Sequence, residues 1–338
     1  MKILITGGVG FIGTNASIYF ASKKHDLLLV DDFSRPGVRK NAFYLQSKYP
    51  AIKIIKSNVK EIKNYDHFLK KADAIIHLAG QTAVTRSIED PKFDFENNLA
   101  ASFYLLEFIR QHNPQAIVLY SSTNKVYGDL AHHRLRLERK KKQYHNLTAP
   151  NGIKENESLN FISPYGCSKG AVDQYFHDYA RIYALNTVVL RQSCIYGKFQ
   201  MGVEDQGWVA HFAKQILTDQ KITIFGDGYQ LRDLLFVDDL IEAYDKLLNK
   251  ITTVRGEVFN IGGGIKNAYS LINVIALLEK VLNKQAKLKF EKARSGDQKY
   301  FVSDNAKINQ AITWKAKTTL RQGLKLLIDW QKQFLLKN

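Results

Sequence analysis

Glycines at the end of the first apolar segment restrict the possible folds more than any other feature of the chain. An apolar strand pattern at residues 3–6 runs into four closely spaced glycines: Gly7, Gly8, Gly10 and Gly13. They satisfy both G-x-G-x-x-G and G-x-x-G-x-x-G. Glycine lets a strand turn tightly into a helix and lets the backbone approach a pyrophosphate, which the helix N-terminus then binds. The pattern therefore predicts a dinucleotide-binding turn, with Phe11 and Ile12 beginning the helix.

An acidic pair follows the second apolar run. Residues 27–30 end in Asp31 and Asp32, close to the separation of about 20 residues expected for a ribose-binding acid. A carboxylate there accepts hydrogen bonds from both ribose hydroxyls and repels a 2′-phosphate. We therefore expect NAD rather than NADP, a preference that the nearby cations of Arg35 and Lys40 weaken.

Composition excludes several classes of protein. At 338 residues and 45% hydrophobic, the chain can bury a large core. No apolar stretch reaches the ~20 residues of a membrane span, and the first segment is too short for a signal peptide, so no membrane partner is expected. Two cysteines, Cys167 and Cys194, exclude a disulfide framework and suit the cytoplasm. The His, Cys and acidic residues lack metal-ligand spacing, so no metal is expected.

The chain is strongly basic, with a formal net charge of +17. Most of the excess is dispersed lysine, and the one dense block lies at residues 132–142. Positive charge attracts nucleic acid and anionic nucleotide substrates alike. Because the excess is dispersed, we expect no nucleic-acid partner. An NAD- or RNA-binding module without catalysis remains the alternative from another class.

Strand-like runs alternate with helical patterns through the first half of the chain. The runs lie at residues 3–6, 27–30, 52–55, 74–78, 116–121 and 187–190. Buried strands separated by helices predict an α/β fold with a Rossmann-type doubly wound parallel sheet. The expected NAD-binding domain is 1–190 with a returning segment at about 233–262, and a smaller interleaved C-terminal lobe comprises 191–232 and 263–338. Residues 127–164 show no clear period, which is typical of a functional or mobile segment.

Tyr165 and Lys169 lie one helical turn apart, where an ammonium can lower the pKa of a phenol and make it a base. The spacing alone is weak evidence, because three other tyrosines of the chain share it. What distinguishes the pair Tyr165 and Lys169 is a run of hydroxyl residues, Ser121, Ser122 and Thr123, at the end of a predicted strand. Ligands of parallel sheets bind at that edge, so these groups are expected to meet there.

Four motifs occur in a fixed order along the whole chain. They are the glycine turn, HLAG at 77–80, SSTNKVYG at 121–128 and YGCSK at 165–169. This order resembles the extended short-chain dehydrogenase/reductase superfamily, which contains nucleotide-sugar epimerases and dehydratases. The segments at 121–130, 163–171, 178–183 and 205–208 are similar to the CDP-paratose 2-epimerase (CDP-tyvelose epimerase) family. That resemblance implies NAD, a CDP-activated deoxysugar, lipopolysaccharide O-antigen biosynthesis and a homotetramer or homodimer.

The resemblance also implies roles for individual residues. Thr123 would hydrogen-bond the reacting hydroxyl, Tyr165 would be the base, and Lys169 would bind the nicotinamide ribose. The implied cofactor-binding residues are Gly7, Gly10, Phe11, Ile12, Asp31, Asp32, Ser34, Arg35, Asn58, Leu78, Ala79, Gln81, Asn98, Tyr165 and Lys169. The implied substrate-binding residues are Thr123, Asn124, Cys194, Arg232 and Arg294. Guanidinium groups fit phosphate oxygens, so the two arginines are assigned to the diphosphate.

Some positions depart from the family pattern. Asn58 stands where relatives usually have an adenine-contacting Asp, and Phe199 precedes Gln200 where many have Arg. Cys194 stands in place of an Asn, and we interpret it as a small residue beside the substrate rather than a nucleophile.

Two substitutions in the third motif bear on the reaction. Related dehydratases carry Asp-Glu where this chain has Asn124 and Lys125, so an elimination lacks its proton-transfer pair. The hypothesis is that Tyr165 removes a hydroxyl proton while hydride passes to NAD, and the keto-sugar turns and is reduced on its other face. The resemblance places this at C2. Spacing permits C4 equally, so a UDP-sugar 4-epimerase is the runner-up.

Overall fold

A computed structural model describes residues 1–294 and 296–335 of the chain. Its strands are β1 (Lys2–Thr6), β2 (Asp26–Asp31), β3 (Lys53–Lys56), β4 (Ala74–His77), β5 (Ile117–Thr123), β6 (Leu135–Glu138), β7 (Gln143–Asn146), β8 (Asn186–Gln192), β9 (Cys194–Tyr196), β10 (Lys221–Phe225), β11 (Leu231–Phe236), β12 (Val258–Ile261), β13 (Ala268–Ser270), β14 (Lys287–Glu291) and β15 (Tyr300–Phe301). Its α-helices are α1 (Phe11–Ser22), α2 (Val38–Lys48), α3 (Asp66–Leu69), α4 (Val84–Glu89), α5 (Pro91–Phe95), α6 (Ala101–His112), α7 (Pro164–Tyr183), α8 (Trp208–Leu217), α9 (Val237–Asn249), α10 (Ile251–Val254), α11 (Leu271–Leu282), α12 (Ala306–Ile312) and α13 (Leu320–Trp330).

Seven strands form the central sheet, in the order β12-β8-β5-β4-β1-β2-β3. Every neighbouring pair is parallel. Side chains alternate between the two faces, so Ile3 and Ile5 enter one core while Leu4 enters the other. A sheet buried on both faces needs apolar residues at successive positions, which is why these strands read as unbroken apolar runs. The predicted Rossmann-type doubly wound sheet is confirmed.

The second half of the chain builds a smaller lobe. Its sheet has the order β13-β11-β15, and β9 also pairs with β11. A two-stranded parallel sheet, β10-β14, lies beside it. One apolar core joins β9, β10 and β11 to α8, α11 and α13. The chain returns to the central sheet with β12, while α9 packs against the core on one of its faces.

The basic segment at residues 127–164 has more structure than its sequence indicated. It contains the antiparallel hairpin β6-β7, whose strands have four residues each, too few to show a period. The hairpin packs on the smaller lobe, since the Tyr144 backbone N–H donates to Tyr229 O at 3.2 Å. The Tyr144 hydroxyl also donates to Asp227 at 2.7 Å. The segment is thereby held beside the lobe.

The helical segment that precedes β5 is interrupted. It consists of α5, a π-helical stretch at Glu96–Ala100, and α6. The C-terminal helix α13 likewise continues as a π-helical stretch, Gln331–Leu335. Within the described part of the chain, no helix has both the length and the apolar character that crossing a bilayer requires.

Candidate active site

The glycine turn leads from β1 into α1 at the carboxyl edge of the central sheet. Gly7 has a φ of +67°, and its N–H donates to Val30 O at 2.8 Å. A Cβ on Gly7 would lie 2.9 Å from Ala79 N, and one on Gly13 would overlap Gly7 O. Gly10 is the N-cap of α1, which begins with the partly buried Phe11 and Ile12. The backbone therefore forms a cradle beneath a helix N-terminus that side chains at these positions would fill.

Asp31 ends β2 beside this cradle and is only 9% exposed. Its carboxylate accepts hydrogen bonds from the Val9 N–H at 3.2 Å and the Phe33 N–H at 2.9 Å. Burial raises the pKa of Asp31, and these hydrogen bonds oppose that rise. Asp32 is exposed and accepts from the Ser34 N–H at 2.9 Å. The two acids thus differ, because only Asp31 lies against the glycine turn.

The segment after β4 forms the other wall of the cradle. The N–H groups of Leu78 and Ala79 both donate to the Thr6 hydroxyl at 3.2 Å. Gln81 donates to Ala83 O at 2.7 Å and to the buried Asp94 carboxylate at 2.9 Å.

Asn98 lies in the π-helical stretch and reaches the same wall. It donates to Asp94 at 2.9 Å. Its Oδ1 is buried beside Gly80 and accepts no hydrogen bond within residues 1–294 and 296–335. An unpaired buried acceptor, a glycine cradle and a ribose-type carboxylate are groups that suit a bound dinucleotide. The residues present therefore fit NAD.

Two predicted cofactor residues are engaged elsewhere in the protein. Arg35 donates to the Thr82 hydroxyl and to Gln206 of the smaller lobe. Asn58 Oδ1 accepts from the Lys60 N–H at 3.0 Å, so one of its lone pairs is already used. Arg35 thereby links the loop after β2 to the smaller lobe.

Thr123 and Tyr165 are brought together by the end of β5 and the start of α7. Ser163 caps α7 by accepting from the Gly166 N–H at 3.1 Å, and Pro164 occupies the first turn, as its sequence position predicted. Burial raises the pKa of Tyr165 to about 12. A hydrogen bond with the Thr123 side chain and the positive charge of Arg35 act in the opposite direction.

Lys169 is buried one turn further along α7. Burial lowers its pKa to about 7, while the charges of Asp173 and Asp94 raise it. Its ammonium donates to Ser121 O and lies 4.4 Å from the centre of the Tyr120 ring. We expected the charge of Lys169 to lower the pKa of Tyr165. In this structure Thr123 and Arg35 act to lower the pKa of Tyr165, and the Lys169 ammonium donates to the Ser121 carbonyl.

A buried ion pair supports this cluster and was missed in the sequence. Asp173 is fully buried and accepts from Arg191 Nε and Nη2, both at 2.9 Å. It also accepts from the Ser122 hydroxyl at 2.8 Å. The signal that was available is the spacing of Lys169 and Asp173, which places both on one face of a helix. Asp94, by contrast, has no local signal that distinguishes it.

Arg232, one of the predicted substrate residues, lies where the lobe meets the end of β5. It is 6% exposed and donates to Asp297 at 2.7 Å. Asn124 donates to Gln298 Oε1 at 3.2 Å in the same region. Burial raises the pKa of Cys194, which keeps the thiol protonated and makes it a poor nucleophile.

Arg294 lies further out on the lobe. Its guanidinium pairs with Glu204 at 3.2 Å and Asp205 at 3.1 Å. It also stacks on the Phe225 ring, at 3.7 Å from the ring centre. Both carboxylates belong to the loop before α8. The group predicted to hold a diphosphate thus lies against two carboxylates of that loop.

A cluster of His132, His133 and Glu157 in the basic segment has ligand atoms within 4.8 Å of one another. Both histidines contact Glu157 at 2.9 Å through Nε2. Asn146 Oδ1 accepts from two backbone N–H groups, so its amide nitrogen donates to His133 Nδ1 at 2.8 Å. The proton of a neutral His133 must therefore be on Nε2, where a metal would bind. The arrangement suits a hydrogen-bonded cluster rather than a metal site.

Comparison with known proteins agrees with this geometry. The model of the NAD dependent epimerase/dehydratase family matches residues 3–262. The CDP-paratose 2-epimerase of Salmonella typhi is 40% identical over 337 residues, 98% of this chain and 99% of that protein.

Solved structures of sugar epimerases have the same fold. The UDP-glucuronic acid 4-epimerase of Bacillus cereus, solved with UDP-glucuronic acid and NAD, is 28% identical with a TM-score of 0.85, covering 98% of this chain and 99% of that one. The UDP-glucose 4-epimerase of Thermotoga maritima is 27% identical with a TM-score of 0.84, covering 99% and 100%. The sheet, the tyrosine and lysine at its carboxyl edge and these relatives agree, and the chain belongs to the NAD-dependent epimerase/dehydratase family.

Proposed function

We propose that this NAD-dependent nucleotide-sugar epimerase converts CDP-paratose into CDP-tyvelose by inverting C2 of the sugar. The observation that carries the proposal is the 40% identity with the Salmonella typhi CDP-paratose 2-epimerase, which extends over 98% of the chain. The absence of a carboxyl group at Asn124 and Lys125 supports epimerisation over elimination, because loss of water needs a proton-transfer pair.

Tyr165 is proposed to take the proton of the C2 hydroxyl as this carbon is oxidised, and to return the proton to the same oxygen when the keto-sugar, having turned, is reduced on its other face. When bound, NAD supplies a reversible acceptor for the hydride of the C2–H bond. Thr123 is proposed to hydrogen-bond the reacting oxygen, which its contact with Tyr165 supports. Lys169 is proposed to hold the nicotinamide ribose from its buried position on α7.

The remaining cofactor residues are proposed from their place around the cradle. Asp31 is assigned to the adenosine ribose because it is the acid that lies against the glycine turn. The others proposed are Gly7, Gly10, Phe11, Ile12, Asp32, Ser34, Arg35, Asn58, Leu78, Ala79, Gln81 and Asn98. We propose Asn124, Cys194, Arg232 and Arg294 as substrate residues, with the arginines on the diphosphate.

We propose a division into an NAD-binding domain, 1–190 with a returning segment, and a sugar-binding lobe. Residues 263–338 of that lobe include Ser295 and 336–338, which lie outside the described residues. Because β11 as a whole pairs with lobe strands, we place the start of the returning segment at Val237 rather than at about 233. The free cysteines Cys167 and Cys194 support a cytoplasmic location.

A homodimer, or a homotetramer built from it, is proposed from an exposed apolar face on α6 and α7. Its members are Tyr104, Tyr175, Ile182 and Tyr183, which are 56%, 41%, 60% and 47% exposed. Large exposed apolar side chains on adjacent helices are typical of a protein–protein interface.

The direct test is to give the purified protein CDP-paratose in deuterated water and follow the product by NMR. We expect the 2-epimer without deuterium at C2, because the hydrogen that leaves this carbon as hydride is the one returned. Y165F should lower kcat at least ~100-fold through loss of the base. Y49F is the matched control, since Tyr49 follows α2 and belongs neither to the proposed site nor to the proposed interface, and it should retain activity.

UDP-glucose, supplied separately, tests the runner-up. The 4-epimerases of similar fold favour a UDP-sugar 4-epimerase as the second candidate. Conversion of UDP-glucose alone would contradict the C2 assignment and support this candidate. Deuterium at C2 of the product would contradict hydride return.

A further inference from the structure

Lys125 is a partly buried cation that the proposed mechanism does not use. It follows Thr123 by two residues in the 3₁₀ turn Asn124–Tyr127, and its N–H donates to the Thr123 hydroxyl at 3.2 Å. Its side chain is 20% exposed. The ammonium lies 3.4 Å from Gly296 O and 3.7 Å from Asp297 Oδ1. The turn that presents the catalytic hydroxyl therefore also presents a positive charge to the smaller lobe.

The charges around Lys125 do not balance. Asp297 also binds Arg232, at the shorter distance of 2.7 Å, so one carboxylate is shared by two cations. The neighbouring Cys194 thiol is protonated, since burial raises its pKa. Asp233 follows Arg232 on β11, so its side chain lies on the other face of that strand, where it accepts from the Gly264 and Ser303 N–H groups, both at 3.1 Å. Two cations that share one carboxylate, one of them the buried Arg232 and the other partly buried, are stabilised when a further anion binds, so this place favours an anionic ligand.

We propose that Lys125 binds the phosphate that carries the sugar, and that it thereby holds C2 rather than C4 beside Thr123 and Tyr165. The inference rests on the proposed nucleotide-sugar substrate. In such a sugar the C2 oxygen lies four bonds from the phosphorus, whereas the C4 oxygen lies six bonds away. Thr123 and Lys125 lie in one short turn, so the oxygen that Thr123 binds and the phosphate that Lys125 binds should lie close together. The C2 oxygen meets this condition better than the C4 oxygen does. The 3,6-dideoxyhexose keeps hydroxyls at both C2 and C4. The position in which Lys125 holds the phosphate, which we call the register of the sugar, therefore decides which of these carbons reacts.

Binding of CDP and CMP to the NAD-loaded enzyme tests the phosphate contact without turnover. The two probes differ in the phosphate next to the sugar. K125Q should weaken CDP binding about 10- to 100-fold, as expected for loss of a charge-assisted hydrogen bond, and CMP binding less than about threefold. K125R keeps the charge and should preserve the preference for CDP. K266Q, at an exposed lysine of the smaller lobe, is the matched control and should change neither.

Turnover of CDP-paratose tests the register. We expect K125Q to raise KM more than it lowers kcat and to release some 4-epimer, while the wild-type enzyme forms the 2-epimer. Unchanged CDP affinity in K125Q, or equal losses for CDP and CMP, would overturn the phosphate contact. Weakened CDP binding with only the 2-epimer formed would overturn the register. If the wild-type enzyme binds UDP instead of CDP, the proposed substrate fails, and UDP with UMP tests Lys125 in the same way.

Discussion

Replacing Asp173 by Asn measures how far the protein depends on the ion pair beneath its active site. Asp173 is fully buried and accepts two hydrogen bonds of 2.9 Å from Arg191 and one of 2.8 Å from Ser122. Asn has nearly the same shape as Asp but lacks its charge. Its amide NH2 group would also face a hydrogen-bond donor of Arg191 or Ser122, and two donors repel each other.

The expected loss is large because Arg191 stays buried, at 4% exposure, without its counterion. Removing one partner of such a pair costs about 3–5 kcal/mol. Total stabilities are about 5–15 kcal/mol, so D173N should remove roughly a fifth or more of the free energy of unfolding. Since the Asp173 charge raises the pKa of Lys169, the substitution should also lower that pKa further.

Urea unfolding of the apoprotein at neutral pH, followed by circular dichroism, is the assay. D178N is the matched control: Asp178 lies on the same helix and pairs with Arg181, but both side chains are exposed, at 43% and 71%. An exposed pair contributes at most about 1 kcal/mol, so D178N should unfold almost like the wild type. Equal losses in D173N and D178N would refute the argument from burial.

Three further predictions concern single groups. The pKa of Lys169 is lowered to about 7, so between pH 7 and about 10 the unfolded chain binds more protons. The free energy of unfolding, measured by urea titration at several pH values, should therefore rise with pH more steeply for the wild-type apoprotein than for K169M. The same pH dependence in both proteins would contradict this. D31N should weaken NAD binding about tenfold and reduce the discrimination against NADP, measured as the two Kd values; an unchanged Kd ratio would contradict the role of the charge. Because His133 carries its proton on Nε2, the cluster of His132, His133 and Glu157 should not bind zinc. Calorimetric titration with zinc should therefore give the same result for the wild-type protein and for E157Q. Stoichiometric zinc binding that E157Q abolishes would disprove the tautomer.

The central sheet could be predicted because its signals are local. Each parallel strand is an unbroken apolar run, and the glycine turn identifies the first strand–helix unit. The lobe strands β13 and β15 have three and two residues and exist through pairing with β11, far away in the sequence. Such strands have no pattern of their own, which is why the sequence analysis missed them. The hairpin β6-β7 was missed because each strand alternates over only four residues.

The site was predictable to the extent that its residues belong to motifs. Thr123, Tyr165 and Lys169 have recognisable spacing, but what surrounds them depends on the fold. The charge of Asp94 acts on Lys169 only because α5 and α7 pack together, and no local pattern reveals that. The position of the Lys169 ammonium depends on the fold in the same way. Sequence gives the spacing of the two side chains, but not the Ser121 carbonyl that holds the ammonium.

The loop before α8 contacts two arginines that are proposed to bind different ligands. Gln206 accepts from Arg35, which is proposed for the cofactor, and the adjacent Glu204 and Asp205 bind Arg294, which is proposed for the diphosphate. Under these assignments each ligand phosphate would compete with a contact of the same short segment, so one loop would respond to both ligands.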